Sequence, residues 1–427
     1  MREVLPAVTC TAQATLLTGQ PVSKHGIVAN GWLFRDTQEV RFWQQSNRLI
    51  QAEPFYATAH RRATERGRNF RSAKLFWWFN QGADVSVSIT PKPHYGISGK
   101  KVFGISGTPP GYAERLEKEL GKFPFFTFWG PGAGLPCTQW IGRCAATLVQ
   151  QEPLDLTLVY LPHLDYDPQR FGVSGSDMPK LVRELDDACA PILDAAQKIG
   201  ANVWVVSEYG HCDVSKPIYP NRALMQAKLI ASRMGPFGEQ LDLFNCRAFA
   251  VCDHQLAHVY VPNANDIPQV AELLGALPGV AKVLVGEQRA EIDIDHERAG
   301  EIVLLSALDA WFAYPYWLDD RRAPDYARAV AIHHKPGYDP CELFIDPKFR
   351  LPKFHMARRL VQKLMGFRMV MDVVPLDASL VKGSHGLHAI DVQDGPLWIG
   401  SGRKPENRRP EMTAFAPRVL EELGLAE

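Results

Sequence analysis

Residues 154–208 admit few architectures. The run LDLTLVYL, from Leu154 to Leu161, has the length and apolar content of a buried strand and ends at a charged turn carrying His163, Asp165 and Asp167. From Ser176 to Ala201 the side chains of Leu181, Val182, Leu185, Cys189, Ile192, Leu193 and Ala196 recur every three or four positions until Gly200, the spacing of an amphipathic helix. The run VWVV, residues 203–206, follows as a second buried strand and stops at Ser207-Glu208-Tyr209-Gly210-His211. Strand, helix and strand in this order predict an α/β fold with a mostly parallel central sheet flanked by helices. Such sheets bind ligands beyond the carboxyl ends of their strands, so Asp165 and Glu208 are candidates to share one site.

The rest of the chain reads as additions to that core. Strand-like runs AHVYV, AKVLV and EIVLLS enclose the helical IPQVAELLGAL, which predicts a compact α/β insertion, a cap, over residues 245–330 within a single domain spanning 1–427. Residues 91–134, rich in Gly, Pro and aromatics, predict long loops that wall a pocket. The Arg-rich 60–71 segment and the KLFWWFN run at 74–80 fit either a base-stacking patch or a solvated turn followed by a core strand; the core reading is favoured.

Composition removes other classes. Lys plus Arg and Asp plus Glu are 47 each, so formal net charge is zero and no nucleic-acid polymer or acidic membrane is expected as a partner. The apolar runs are too short to span a bilayer, and the opening residues lack a secretory signal, so a cytoplasmic protein is expected. Eight cysteines without a CxxC pair predict reduced thiols.

The stretch PAVTCTAQATLLTGQPVSKHGIVANGW combines a short helical run, a capping Gly19 and a second glycine turn. Thr9 stands at the start of that helix, where its hydroxyl either caps the helix or faces an anion held by free N–H groups and the helix dipole. The pattern T-x8-T-G-x-P-x-x-x-H-G-I-x-x-N resembles the nucleophile segment of the alkaline phosphatase superfamily, in its type I phosphodiesterase/nucleotide pyrophosphatase branch. The resemblance implies an alkaline-phosphatase-like fold, Thr9 as a metal-bound nucleophile, and Asn30, twenty-one residues on, as a donor to a phosphoryl oxygen.

Three further blocks resemble the metal-binding segments of that family. In YLPHLDYDPQRFG, Asp165 matches a ligand, while Gln169 stands where a His is expected, leaving His163 or Asp167 to replace it. In VWVVSEYGH, Glu208 replaces an Asp and Tyr209 a His, and His211 can reach the site from the turn. In VKGSHGLHAID, His385 matches a metal-ligating histidine, and His388 has no family role. Asp253 and His254 are read as cap structure, and HHKPGYDPCELF as a loop returning from the cap that can line the pocket. The family also carries a metal-binding Asp on a strand ahead of its nucleophile. With eight residues before Thr9, that strand and its Asp are expected to be missing here.

The resemblance thus implies two divalent ions, zinc or manganese, held by Asp165, Glu208, His211 and His385, with attack by Thr9 on a small phosphodiester or pyrophosphate. Two other readings stay open: a degenerate member that binds a phosphorylated metabolite or a partner without turnover, and a phosphonate hydrolase that cleaves a carbon–phosphorus bond.

Overall fold

The computed structural model describes residues 1–97, 101–400 and 409–426; part of the loop-rich 91–134 segment, residues 98–100, lies outside them. The elements that position the site are α1 (Thr9–Thr18), β1 (Ser72–Leu75), β2 (Val87–Pro91), β3 (Ile105–Thr108), α2 (Leu135–Gln151), β4 (Leu156–Val159), α3 (His163–Phe171) and α4 (Met178–Ile199). They continue with β5 (Trp204–Val206), β6 (Cys212–Asp213), β7 (Phe249–Asp253), β8 (Leu256–Tyr260), α5 (Ile267–Gly275), β9 (Val280–Val285), β10 (Ile302–Ser306), α6 (Pro352–Leu364), β11 (Gly383–Ser384) and β12 (Trp398–Gly400).

All ten residues of α1 are buried, so this helix has no solvent face and its threonines must satisfy their hydroxyls internally. Thr15 and Thr18 donate back to the carbonyls of Thr11 and Ala14, and Thr11 donates to Ile27. Gly19, at φ 64°, closes the helix with its N–H on the Thr15 carbonyl. The amphipathic α4 begins where Asp177 accepts from the Lys180 N–H, ends at Gly200 and packs along α2. The helices touch at Gly142, where a Cβ would fall 2.3 Å from the Ala188 carbonyl oxygen.

The class is α/β, as the sequence predicts, but the described sheets are small and mixed rather than one mostly parallel sheet. One has the order β3-β2-β1-β4, with β1 parallel to β2 and β4 and β3 antiparallel at the edge. A second, β7-β8-β10-β9, is antiparallel throughout. The predicted strand–helix–strand unit exists as β4, α4 and β5, yet β5 pairs antiparallel with β12 instead of joining β4. Nor is β5 the buried strand expected, since Val205 is 47% exposed; an apolar run marks a strand but fixes neither its burial nor a partner almost two hundred residues away.

In the 245–330 segment the runs AHVYV, AKVLV and EIVLLS lie on β8, β9 and β10, and IPQVAELLGAL carries α5. Its antiparallel sheet shares one hydrophobic core with α1, Val251 and Leu304 lying in the same cluster as Leu16 and Leu17. The KLFWWFN run belongs to the core: Lys74, Phe76, Trp77, Trp78 and Phe79 are all buried. Lys74 stays buried by donating to the carbonyls of Trp78 and Phe79. The eight cysteines are all free.

Candidate active site

Val8, in extended conformation, is the residue that precedes the first turn of α1, and no side chain caps that end. Thr9 is therefore the first helical residue, and the N-cap alternative does not hold. Its hydroxyl instead shares a 2.8 Å hydrogen bond with the Tyr209 hydroxyl. The helix end is satisfied from outside, because Cys10 donates its backbone N–H to Asn30 Oδ1 at 2.9 Å. The Asn30 amide nitrogen donates to Asp253 Oδ1 at 3.1 Å, and the Asn30 backbone N–H donates to Asp253 Oδ2 at 2.7 Å. Burial pushes the Asp253 carboxyl up to about 7 against the pull of these two donors.

Asn30 thus holds Asp253 and the first turn of α1 together, with both ends of its amide engaged. The resemblance makes Asn30 a donor to a phosphoryl oxygen; here its amide nitrogen donates to Asp253 and its oxygen accepts from the Cys10 N–H. It also left Asp253 and His254 in cap structure, whereas they occupy the carboxyl end of β7 and the turn after it, inside the site. The signal was available: a polar pair between two apolar strands is a hairpin tip, and hairpin tips face solvent or a site.

Asp165 comes from the first turn of α3. Its Oδ1 lies 3.0 Å from His211 Nε2 and 3.7 Å from His385 Nε2. Its Oδ2 accepts from the Gln169 amide at 2.8 Å, and Gln169 Oε1 accepts from the Tyr338 hydroxyl at 2.7 Å. Burial works against the Asp165 charge, yet the hydrogen bond from His211, with His385 and Gln169, holds the carboxyl below its usual range. Gln169, where the resemblance expects a ligating His, supports the carboxylate rather than completing the ligand set. Neither suggested replacement joins the cluster: His163 pairs with Glu184 at 3.0 Å and Asp167 with Arg170 at 2.9 Å. The imidazole that does is His211, five residues past the end of β5.

His385 is buried, and its Nδ1 lies 2.7 Å from the Ala7 carbonyl oxygen. A carbonyl can only accept, so Nδ1 carries the proton and Nε2 turns a lone pair toward the Asp165 carboxylate. Burial, then the neighbouring His254 and His211, keep the ring well below its usual pKa and hence neutral. A lone pair facing a carboxylate oxygen is a repulsive contact unless a cation lies between. The donors of Asp165, His211 and His385 all fall within 4.8 Å of one another, so two imidazoles and a carboxylate fit a divalent ion.

Glu208 stands apart from this trio. It accepts from Gln13 at 2.7 Å, one helical turn below Thr9, and Gln13 in turn accepts from the Trp78 N–H at 2.8 Å. Burial, with the Asp165 charge adding to it, pushes Glu208 up to about 8 against its hydrogen bonds to Gln13 and Thr9. Cys10, beside Thr9, is buried and its thiol is raised well above the usual range, first by burial. His388 stays outside the cluster, 3.9 Å from Glu3.

Four rings stack through the site, the donor His385 among them. Tyr209 lies on His385 at 3.8 Å and 8°, His385 on His254 at 3.7 Å, and His254 on Tyr338 at 3.9 Å. The loop around Tyr338 is pinned by Lys335, which pairs with Asp339 at 2.7 Å and Glu342 at 2.8 Å; Glu342 also accepts from Trp129 of the aromatic 91–134 segment. Sequence reasoning named Tyr338 only as a pocket residue, because nothing in its local pattern marks it as the partner of Gln169.

Similar folds recur among solved structures. Phosphonoacetate hydrolase from Sinorhizobium meliloti, in complex with phosphonoformate, aligns over 100% of this chain and 86% of its own, with a TM-score of 0.56 and 13% identity. Human ectonucleotide pyrophosphatase/phosphodiesterase 5 aligns over the same shares with a TM-score of 0.55, and the murine protein with 0.53, each at 14% identity. At these identities the likeness is one of fold. No sequence match was found among curated proteins. The family model for type I phosphodiesterase/nucleotide pyrophosphatase matches residues 1–339, most of the chain. With the fold in agreement, the chain belongs to the type I phosphodiesterase/nucleotide pyrophosphatase family.

Proposed function

We propose that this protein is a divalent-metal-dependent hydrolase of small phosphodiesters or pyrophosphates, with Thr9 as nucleophile. The observation that carries the reading is the position of Tyr209, whose hydroxyl lies 2.8 Å from Thr9 Oγ1 and 3.5 Å from Asp165 Oδ1. It places an uncapped, buried threonine hydroxyl one residue away from the donor trio. Asp165, His211 and His385 would hold one ion, zinc or manganese; Glu208, engaged by Gln13, would be the one further donor from the implied ligand set for a second. Bound there, divalent ions supply positive charge for the phosphoryl oxygens and favour the threonine alkoxide.

The residues of the chain do the rest. Thr9 Oγ1 forms a bond to phosphorus as the bond to the leaving oxygen breaks, and the leaving oxygen takes up a proton. Water then cleaves the resulting phosphothreonine ester, and Thr9 recovers its hydroxyl. Tyr209, fixed by its stack on His385, orients the Thr9 hydroxyl, and the Asn30–Asp253 clamp holds the first turn of α1 in place. The 245–330 unit serves as a cap in this reading, and contributes Asp253 and His254.

The test is hydrolysis of bis(p-nitrophenyl) phosphate with zinc or manganese, run beside Thr9→Ala and with phosphonoacetate as a second substrate. Turnover of the diester that vanishes in Thr9→Ala supports the proposal. Equal trace turnover in both proteins defeats it in favour of a binding protein, and preferential release of phosphate from phosphonoacetate assigns carbon–phosphorus cleavage instead.

A further inference from the structure

Residues 347–371 contain seven Lys or Arg and no Asp or Glu, in a chain whose formal net charge is zero. They include α6, in which no residue is buried. The helix is turned the opposite way from an ordinary surface helix. Its polar stripe faces the protein: His355 bonds to Asp372 Oδ1 at 2.8 Å, and Arg359 binds both oxygens of the same carboxylate. Its apolar stripe, Phe354, Ala357, Val361 and Leu364 at spacings of three and four, faces outward. Phe354 is 69% exposed and Leu364 85%, and Leu351 and Phe367 beyond the two helix ends are exposed as well.

Cations border that stripe. Arg350, Lys353, Arg358 and Lys363 are exposed and make no ion pair among the described residues. At the start of the helix a groove of about 440 Å³ sets Lys348, Arg350 and Arg358 beside Phe349, Leu351 and Phe354. After the helix, the Arg368 guanidinium lies 4.2 Å over the ring of Phe237, which extends the same mixture onto the 232–241 hairpin.

We infer that α6 is an interfacial helix that seats this protein on an anionic lipid bilayer. An apolar stripe edged by Lys and Arg matches the boundary between acyl chains and anionic headgroups, and the unpaired cations supply the charge complementarity. A second copy is the wrong occupant, because a two-fold contact would set these acid-free cationic segments against each other. No described helix is long and apolar enough to cross a membrane, so the contact is made at the surface. The sequence expectation of no acidic-membrane partner rested on whole-chain balance and on the lack of a contiguous charge run. The cations here are interleaved with apolar residues and gather only on the folded helix.

The test is flotation of the full chain with vesicles of phosphatidylcholine alone or mixed with phosphatidylglycerol. Wild type is expected to float with the mixed vesicles, to be released by high salt and to ignore the neutral ones. Val361→Asp with Leu364→Asp, and separately Lys353→Glu with Arg358→Glu and Lys363→Glu, are each expected to weaken partitioning about a hundredfold. These side chains are exposed, so the urea midpoint should not move. Salt-independent or equal binding to neutral vesicles, no binding to mixed ones, or retention by both variants overturns the inference. A wild-type dimer that Leu364→Asp dissociates assigns the face to a second copy, and tighter binding to poly-glutamate than to vesicles assigns it to an acidic protein.

Discussion

The carbonyl oxygen of Ala7 lies 2.7 Å from Nδ1 of His385, across 378 positions of sequence. The bond ties the residue two before Thr9, the proposed nucleophile, to the histidine that turns its free nitrogen toward Asp165. The start of α1 and the trio of Asp165, His211 and His385 are therefore one mechanical unit, and changes to either are expected to register in the other.

Tyr338 acts on Asp165 through Gln169, so Tyr338→Phe keeps the stacked ring and removes only the hydroxyl that orients the amide. We expect the affinity for zinc or manganese to fall about tenfold. Titration against a competing chelator checks this; an unchanged affinity would show that Gln169 holds Asp165 unaided.

Asn30→Ala removes the acceptor for the Cys10 N–H and one donor to buried Asp253. The expected loss is about 2 kcal/mol in urea unfolding. Asn30→Asp sets a second carboxylate against Asp253, whose folded value near 7 keeps it largely protonated in mild acid. Its penalty should therefore be small at pH 5.5 and grow toward pH 8, and a penalty independent of pH would contradict the assigned geometry.

Burial lowers Lys74 to about 7, well below an unfolded lysine. Between that value and the ordinary lysine range the unfolded chain binds the proton and the folded protein does not, so stability contributed by this group rises with pH across that window. Lys74→Met should abolish that increment, worth on the order of a few kcal/mol. Urea midpoints for both proteins at pH 6.5 and 9.5 measure it, and parallel curves would refute it.

Lys335 is enclosed with Asp339 and Glu342, and Glu342 is wholly buried. Lys335→Met strands two carboxylates, an expected cost of about 3 to 5 kcal/mol. A melting temperature within a degree or two of wild type would mean that water reaches these groups.

The elements were legible wherever apolar runs or helical spacing mark them: β4, α4, β5 and the strands β8, β9 and β10 fall where those runs lie, although β5 is not buried. Strand partners were not, because β5 finds β12 through contacts that no local window contains. At the site, Asp165, His211 and His385, each taken from a different motif block, lie together, while Glu208 turns to Gln13. The roles of Gln169, Tyr338 and Asp253 escaped the sequence because each acts by holding another side chain, and such support leaves no spacing of its own.

The four stacked rings come from positions 209, 254, 338 and 385, each in a different stretch of the chain. During synthesis the ribosome delivers them in that order, and the third face of the donor trio arrives only with the last. Under the proposed function, a nascent chain thus lacks the third donor of the ion site until position 385 has been made, however early α1 folds. Fragments released before that point carry Thr9 without the ring that Tyr209 stacks on.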